Sequence, residues 1–91
     1  MSKPHIRVVA ARIEKEGKFL LTQRNPHAVL PLLWEFPGGR VEDGETDEAA
    51  LAREISENIG VSLVVQELSM HVVHEYERYH LDMLVYHATI A

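Results

Sequence analysis

The sequence predicts an α+β fold or a mixed α/β fold with a single helix, and three observations support this. Residues 6–13 and residues 81–90 are rich in β-branched and apolar side chains, which is typical of buried strands. Residues 46–60 combine a capping threonine, good helix formers and a terminal glycine. Two strand segments precede this helix and three follow it, so the predicted order is ββ-loop-α-βββ.

Length and composition limit the class of protein. The chain has 91 residues, a net charge of −5 and a hydrophobic fraction of 46%, which predicts one globular domain over residues 1–91. The absence of cysteine excludes a disulfide scaffold and a cysteine zinc site. The acidic balance disfavours stable nucleic-acid binding. Apolar runs are far shorter than the ~20 residues of a membrane span, so a cytoplasmic domain without membrane contact is expected.

The N-terminal segments predict a hairpin followed by loops. Residues 6–13 form the first strand, residues 14–18 a polar loop, and residues 19–24 the returning strand. A loop over residues 25–33 contains two prolines and precedes a short apolar segment at residues 34–36. Pro37, Gly38 and Gly39 predict a turn.

The helix is the clearest element. Thr46 is the predicted N-cap, Asp47 and Glu48 suit the positive end of the helix dipole, and Gly60 suits the left-handed C-terminal position. Apolar residues at helical spacing predict one buried stripe, formed by Leu51, Ala52, Ile55 and Ile59. Strands are then predicted at residues 61–68, 70–75 and 81–90.

An acidic edge flanks this stripe. Glu54, Glu57 and Asn58 share one helix face, and Glu45 can fold back towards it. Hard oxygen ligands of this kind suit Mg²⁺ or Mn²⁺. The alternative is an ordinary solvated helix face with pairs such as Arg53–Glu57, which is the more frequent meaning of a Glu-rich edge.

A longer spacing favours the metal interpretation. From Gly39 the sequence runs Gly39-x5-Glu45-x7-Arg53-Glu54-Ile55-x-Glu57-Asn58-x-Gly60-Val61. It resembles the Nudix box, Gly-x5-Glu-x7-Arg-Glu-U-x-Glu-Glu-x-Gly-U with U a bulky aliphatic residue, at every fixed position except one. The preceding run Leu33-Trp34-Glu35-Phe36-Pro37-Gly38-Gly39-Arg40-Val41-Glu42 and the pair Gln23-Arg24 resemble the MutT-like branch. The resemblance extends over residues 6–91.

The resemblance implies a Nudix-like α/β/α sandwich with a mixed sheet, and a hydrolase for nucleoside triphosphates or related nucleoside diphosphate derivatives. Mg²⁺ or Mn²⁺ is the implied cofactor. The implied metal ligands are Gly39, Glu54, Glu57 and Asn58. The implied catalytic set is Glu45, Arg53, Glu54 and Glu57. The implied substrate-binding residues are Arg24, Gly38 and Arg40, which contact the nucleotide or its phosphates.

Two departures from the family pattern qualify this function. Asn58 stands where the pattern has glutamate, so metal affinity and activity are expected to fall; the alternative function is a catalytically weakened nucleotide-binding module. The chain also stops inside an apolar strand, Thr89-Ile90-Ala91, where the family adds further strand and a second helix. An unpaired last strand predicts either a fragment or a homodimer formed through that strand.

The six histidines fit no zinc-finger or helical metal-pair spacing. Surface or pocket-wall positions are expected for them. Trp34 and Phe36 are expected in the core or in a pocket wall rather than as stacking platforms, and Tyr76 and Tyr79 are expected to flank a turn.

Overall fold

The computed structural model describes residues 3–24, 26–27 and 34–91. The elements are β1 (His5–Lys15), β2 (Lys18–Phe19), β3 (Thr22–Gln23), β4 (Trp34–Glu35), β5 (Gly38–Arg40), α1 (Asp47–Ile59), β6 (Leu63–Glu75) and β7 (His80–Ile90). In the described part of the chain, no helix is long and apolar enough to cross a membrane.

A mixed sheet organises the fold around β1. This strand runs parallel to β7 and antiparallel to β5 and β2, and β7 pairs antiparallel with β6. In the register, Val9 lies beside Leu84 on one side and beside Gly39 on the other. The mixed sheet with α1 on one face confirms the predicted fold class.

Helix α1 forms where its sequence signals predict it. The Thr46 side chain accepts the Ala49 N–H at 3.1 Å. Gly60 adopts φ 79° and donates its N–H to the Ile55 and Ser56 carbonyls. Leu51 and Ile55 are fully buried against the sheet, and burial of each stabilises the fold by about 1.5–3 kcal/mol. The helix is therefore a rigid platform for the side chains on its outer edge.

The diglycine segment is part of a strand, so the predicted turn at residues 37–39 is wrong. Gly38 pairs with Ala10, and Gly39 with Val9. A Cβ on Gly38 would lie 2.0 Å from the Val9 carbonyl oxygen. This strand can approach β1 so closely because Gly38 carries no side chain.

The other strands differ in length from the prediction. The hairpin partner of β1 is limited to Lys18–Phe19, and Thr22–Gln23 pairs instead with β4. The two strands predicted over residues 61–75 are one strand, β6, whose register shifts between residues 65 and 70. Irregularities of this type bend a strand without ending it. The predicted loop over residues 25–33 lies outside the described residues apart from 26 and 27.

The sequence predicted that the last strand is an unpaired edge, and this prediction is wrong. It lies between β1 and β6, pairing with β1 from residue 80 to residue 88. The outer strand at this side of the sheet is β6, whose exposed apolar side chains include Val64, Leu68, Met70, Val72 and Val73. The homodimer stays a prediction, and its proposed contact strand is wrong.

Candidate active site

Arg53 forms hydrogen bonds with the acidic side chains predicted for the site. Its Nε and Nη2 donate to the two Glu45 carboxylate oxygens at 2.8 and 2.9 Å. Its Nη1 donates to Glu54 Oε1 at 3.1 Å and to Glu57 Oε2 at 3.5 Å. Its Nη2 also donates to the Arg40 carbonyl oxygen at 3.1 Å. One guanidinium thus holds three carboxylates and the end of β5 in a fixed arrangement.

The bidentate contact with Arg53 changes the pKa of Glu45. Hydrogen bonds from the Arg53 side chain, and next from the Glu42 backbone N–H, lower the pKa of Glu45 to about 2. The same contact raises the pKa of Arg53. Glu45 is therefore a carboxylate across the whole neutral and mildly acidic range.

Replacing Glu45 with Gln should change the pH dependence of the free energy of unfolding. A carboxyl whose folded pKa is depressed to about 2 contributes stability above its unfolded pKa of 4.5, and that contribution is lost as the pH falls from 4.5 to about 2. The Glu45→Gln variant should be less stable at pH 6 and should lose less stability than the parent chain between pH 5 and pH 2.5. Urea unfolding across this range measures both, and equal pH slopes in the two proteins would contradict the assignment.

Glu54 lies directly over the diglycine strand. A Cβ on Gly39 would lie 2.3 Å from Glu54 Cδ and 2.5–2.6 Å from its two oxygens. The Glu54 side chain is 18% exposed, against 59% for Glu57. Asn58 Nδ2 donates to Glu54 Oε2 at 3.1 Å. Glycine at position 39 therefore leaves the space that the Glu54 carboxylate occupies.

The donor set has the chemistry that a hard divalent cation requires. Carboxylate, amide and backbone carbonyl oxygens are what Mg²⁺ and Mn²⁺ prefer in proteins. Glu54, Glu57, Asn58 and Gly39 supply these atom types at one end of β5 and one edge of α1. Glycine at position 39 leaves room for the Glu54 carboxylate beside the β5 backbone, so the residues present fit such an ion.

A cleft of about 610 Å³ opens on the side of β5 away from the helix core. The predicted substrate-binding residues Arg24, Gly38 and Arg40 all line it, as does Gly39. Arg24 Nη1 lies 3.3 Å from Glu35 Oε2. Trp34, which is 64% exposed, forms part of the wall as expected. Gly39 is therefore shared: its backbone lines the cleft, and the Glu54 carboxylate lies against it, although none of the described residues lining the cleft belongs to the carboxylate cluster.

The floor of the cleft was missed by sequence reasoning. Alternate residues of β7, Leu81, Met83 and Val85, form it. The residues between them, Asp82 and Leu84, face the helix side and are buried. Side chains alternate between the two faces of this strand, as in any strand. Both faces carry apolar residues, so the sequence did not indicate which face would line a pocket.

Comparison with known proteins places this geometry in a family. The family model described as NUDIX domain matches residues 8–91. The chain belongs to the NUDIX family. It is 34% identical over 84 residues to an 8-oxo-dGTP diphosphatase of Proteus vulgaris, an alignment that covers 91% of this chain and 75% of that protein. It is 48% identical over 62 residues to a CTP pyrophosphohydrolase of Escherichia coli strain K12, covering 68% of this chain.

Solved NUDIX structures share the fold. The solution structure of a MutT protein from methicillin-resistant Staphylococcus aureus 252 has 40% sequence identity and a TM-score of 0.81, and the match covers 99% of this chain and 69% of that one. A MutT NUDIX hydrolase from Burkholderia pseudomallei has a TM-score of 0.85 at 29% identity, with 98% and 70% covered. These matches confirm the MutT-like NUDIX resemblance. The chain spans 46% of the E. coli CTP pyrophosphohydrolase.

Proposed function

We propose that this chain is a NUDIX hydrolase that uses Mg²⁺ or Mn²⁺ to cleave a nucleoside triphosphate into a monophosphate and pyrophosphate. One observation carries the proposal: Gly39 is at once a wall of the cleft and the backbone against which the Glu54 carboxylate lies. We place the phosphates of the nucleotide at the Gly39 end of the cleft, where Glu54 is the nearest carboxylate of the cluster across the β5 backbone.

Glu54 and Glu57 are the proposed principal metal ligands, with the Gly39 carbonyl and the Asn58 side-chain oxygen as further donors. The cation, when bound, neutralises phosphoryl oxygens and lowers the pKa of a water molecule. Arg53 fixes the directions of Glu54 and Glu57 before any ligand arrives. Positioning of this kind avoids the cost of ordering the ligands during the reaction.

Glu45 acts through Arg53 and not as a base. A carboxylate with a pKa of about 2 is a poor proton acceptor at neutral pH. Both of its oxygens are also occupied by Arg53. Its proposed role is to hold the guanidinium that positions the other two glutamates. The proton of the attacking water is then left to Glu54 or Glu57, and Glu54 is the less exposed of the two.

The cleft suits a nucleotide. Arg24 and Arg40 place cationic groups beside the diglycine strand, where the phosphates would lie. Trp34 offers an exposed aromatic face for a base, over a floor of Leu81, Met83 and Val85. The relatives named above act on 8-oxo-dGTP and on CTP. We propose the nucleoside triphosphate class for this chain, with a cytoplasmic location.

The function is tested by pyrophosphate release. The chain is incubated with 8-oxo-dGTP and with the eight ordinary nucleoside triphosphates, CTP among them, in Mg²⁺, in Mn²⁺ and in chelator. Release of pyrophosphate that requires the metal supports the proposal. Absence of release from every nucleotide, in the parent chain and in Asn58→Glu alike, would remove the enzymatic claim.

Asn58→Glu should strengthen the metal requirement. The new carboxylate would face Glu54, which now accepts a hydrogen bond from the Asn58 amide, so the metal-free variant should be less stable than the parent. With Mg²⁺ the added charge becomes favourable, and the midpoint of activation should fall roughly tenfold. Activity against Mg²⁺ concentration and thermal unfolding with and without Mg²⁺ measure the two effects.

The neutral variant Asn58→Gln is the matched control for Asn58→Glu. It retains the amide and adds only length, so its activation midpoint should not fall. A midpoint unchanged in Asn58→Glu would show that residue 58 does not face the cation.

The presence of Asn58 also favours a second candidate, a nucleotide-binding module without catalysis. Such a module would bind nucleotides in the same cleft equally well with and without metal, and would release no pyrophosphate. Equilibrium dialysis with a labelled nucleotide, in chelator and in Mg²⁺, separates the two functions.

A further inference from the structure

Three histidines from three neighbouring strands gather around one buried aspartate. Asp82 of β7 is 7% exposed, and it is the buried charged residue among those that the structure describes. His71 of β6 lies with Nε2 2.8 Å from Asp82 Oδ1. His5 of β1 contacts the other oxygen, Oδ2, through its own Nε2. The His80 ring packs edge-on against the His5 ring, with centroids 4.8 Å apart.

The sheet register brings these residues together. His5 lies beside His80 in the parallel pair β1–β7. On β7, residues 80 and 82 are two apart, so both face the helix side of the sheet. The cluster shares no residue with the carboxylates on α1. His5 lies 75 or more positions before His80 and Asp82 in the sequence, so the spacing of these residues gave no signal.

We propose that His5, His80 and Asp82 bind one Zn²⁺ ion. Their candidate ligand atoms lie within 4.8 Å of one another. Ligands at about 2.0–2.2 Å in a tetrahedral site are separated by roughly 3.3 Å, so side-chain rotations of modest size suffice to close the set. Two imidazoles and one carboxylate with a fourth position for water are a common zinc donor set.

His71 completes the arrangement as a positioning residue. Its contact with Asp82 Oδ1 fixes the carboxylate plane and leaves Oδ2 towards His5. Metal-binding carboxylates are usually held in this way by a second hydrogen bond. His71 therefore orients the Asp82 carboxylate through Oδ1, and Oδ2 is the oxygen proposed to bind the ion.

The donor chemistry separates this site from the one on α1. Imidazole nitrogen suits Zn²⁺, whereas Mg²⁺ prefers oxygen ligands and retains its water. A zinc ion here would join the beginnings of β1 and β7. It would tie these strand ends together independently of any hydrolysis at Glu54.

Zinc titration of the full chain in excess Mg²⁺ tests the site. We expect one equivalent of Zn²⁺ to bind by calorimetry, and the same equivalent to bind to the double variant Glu54→Gln/Glu57→Gln. Cobalt in place of zinc should give the intense visible absorption of a four-coordinate ion. No binding in the double variant, or a weak six-coordinate spectrum, would show that the histidines and Asp82 form a hydrogen-bonded cluster only.

Histidine variants locate the ion. His80→Ala and His5→Ala, both at partly exposed positions, should each weaken zinc binding by roughly 100-fold or more, and His71→Ala by roughly tenfold. His74→Ala is the matched control, because His74 packs on Tyr76 and not on Asp82. Affinity unchanged in both His80→Ala and His5→Ala, with circular dichroism showing folded proteins, would overturn the assignment.

Discussion

Glu54→Gln should lower pyrophosphate release by about 10²–10⁴-fold, the range over which removal of a metal-holding or proton-accepting group acts. Glu54 lies over Gly39 at the junction between the cleft and the acidic cluster. Glutamine preserves the shape and can keep the hydrogen bond from Asn58, so the change removes the charge of Glu54 and its ion pair with Arg53. The measurement is kcat/KM for the preferred nucleotide at saturating Mg²⁺.

The control for Glu54→Gln is the same substitution at Glu48. Glu48 is an exposed residue in the first turn of the same helix, and Glu48→Gln should retain activity within about twofold. If Glu54→Gln and Glu48→Gln retained equal activity, Glu54 would have no part in the reaction.

Alanine at the two adjacent glycines should affect different properties: activity at Gly39 and stability at Gly38. At Gly39 the added methyl group meets the flexible end of the Glu54 side chain, which can move away, so the fold should lose less than about 1 kcal/mol. The displaced carboxylate is then out of position, and a shift of about 1 Å near the reacting atoms costs roughly 100-fold in rate. Gly39→Ala should therefore be folded and nearly inactive.

At Gly38 the added methyl group meets backbone. The nearest atoms are the Val9 carbonyl oxygen at 2.0 Å and the Ala10 Cα at 2.7 Å, and neither can rotate away. Gly38→Ala should lose about 3 kcal/mol of stability as β5 separates from β1. Urea unfolding together with activity measures the pair. The account is wrong if Gly39→Ala unfolds as readily as Gly38→Ala, or if it retains full activity.

The sequence predicted the features that depend on local spacing. Thr46, Gly60 and the stripe containing Leu51 and Ile55 lie within one helix, so their pattern contains the whole of the relevant geometry. The Glu45–Arg53 contact was not predicted, since eight residues and a helix start separate the two; the sequence indicated only that Glu45 can fold back towards this edge of the helix. Arg53 binds three carboxylates at once, so the acidic edge is an ordered ion-pair network, and its role in metal binding stays a prediction.

Features that depend on distant pairing were not predictable. The diglycine segment becomes a strand because β1, about 30 residues earlier, accepts it at close range. The floor of the cleft and the cluster around Asp82 depend on which face of β7 turns towards α1. The parallel pairing of β1 with β7 decides this, and a register one residue different would exchange the two faces.

Manganese binding tests the central claim most directly. Mn²⁺ bound to the chain is followed by electron paramagnetic resonance, in the parent protein and in Glu54→Gln/Glu57→Gln, with Zn²⁺ present to occupy the histidine cluster. Uptake by the parent that is abolished in the double variant is the predicted result. Equal uptake by both proteins would contradict the account, because the helix carboxylates would then not hold the cation.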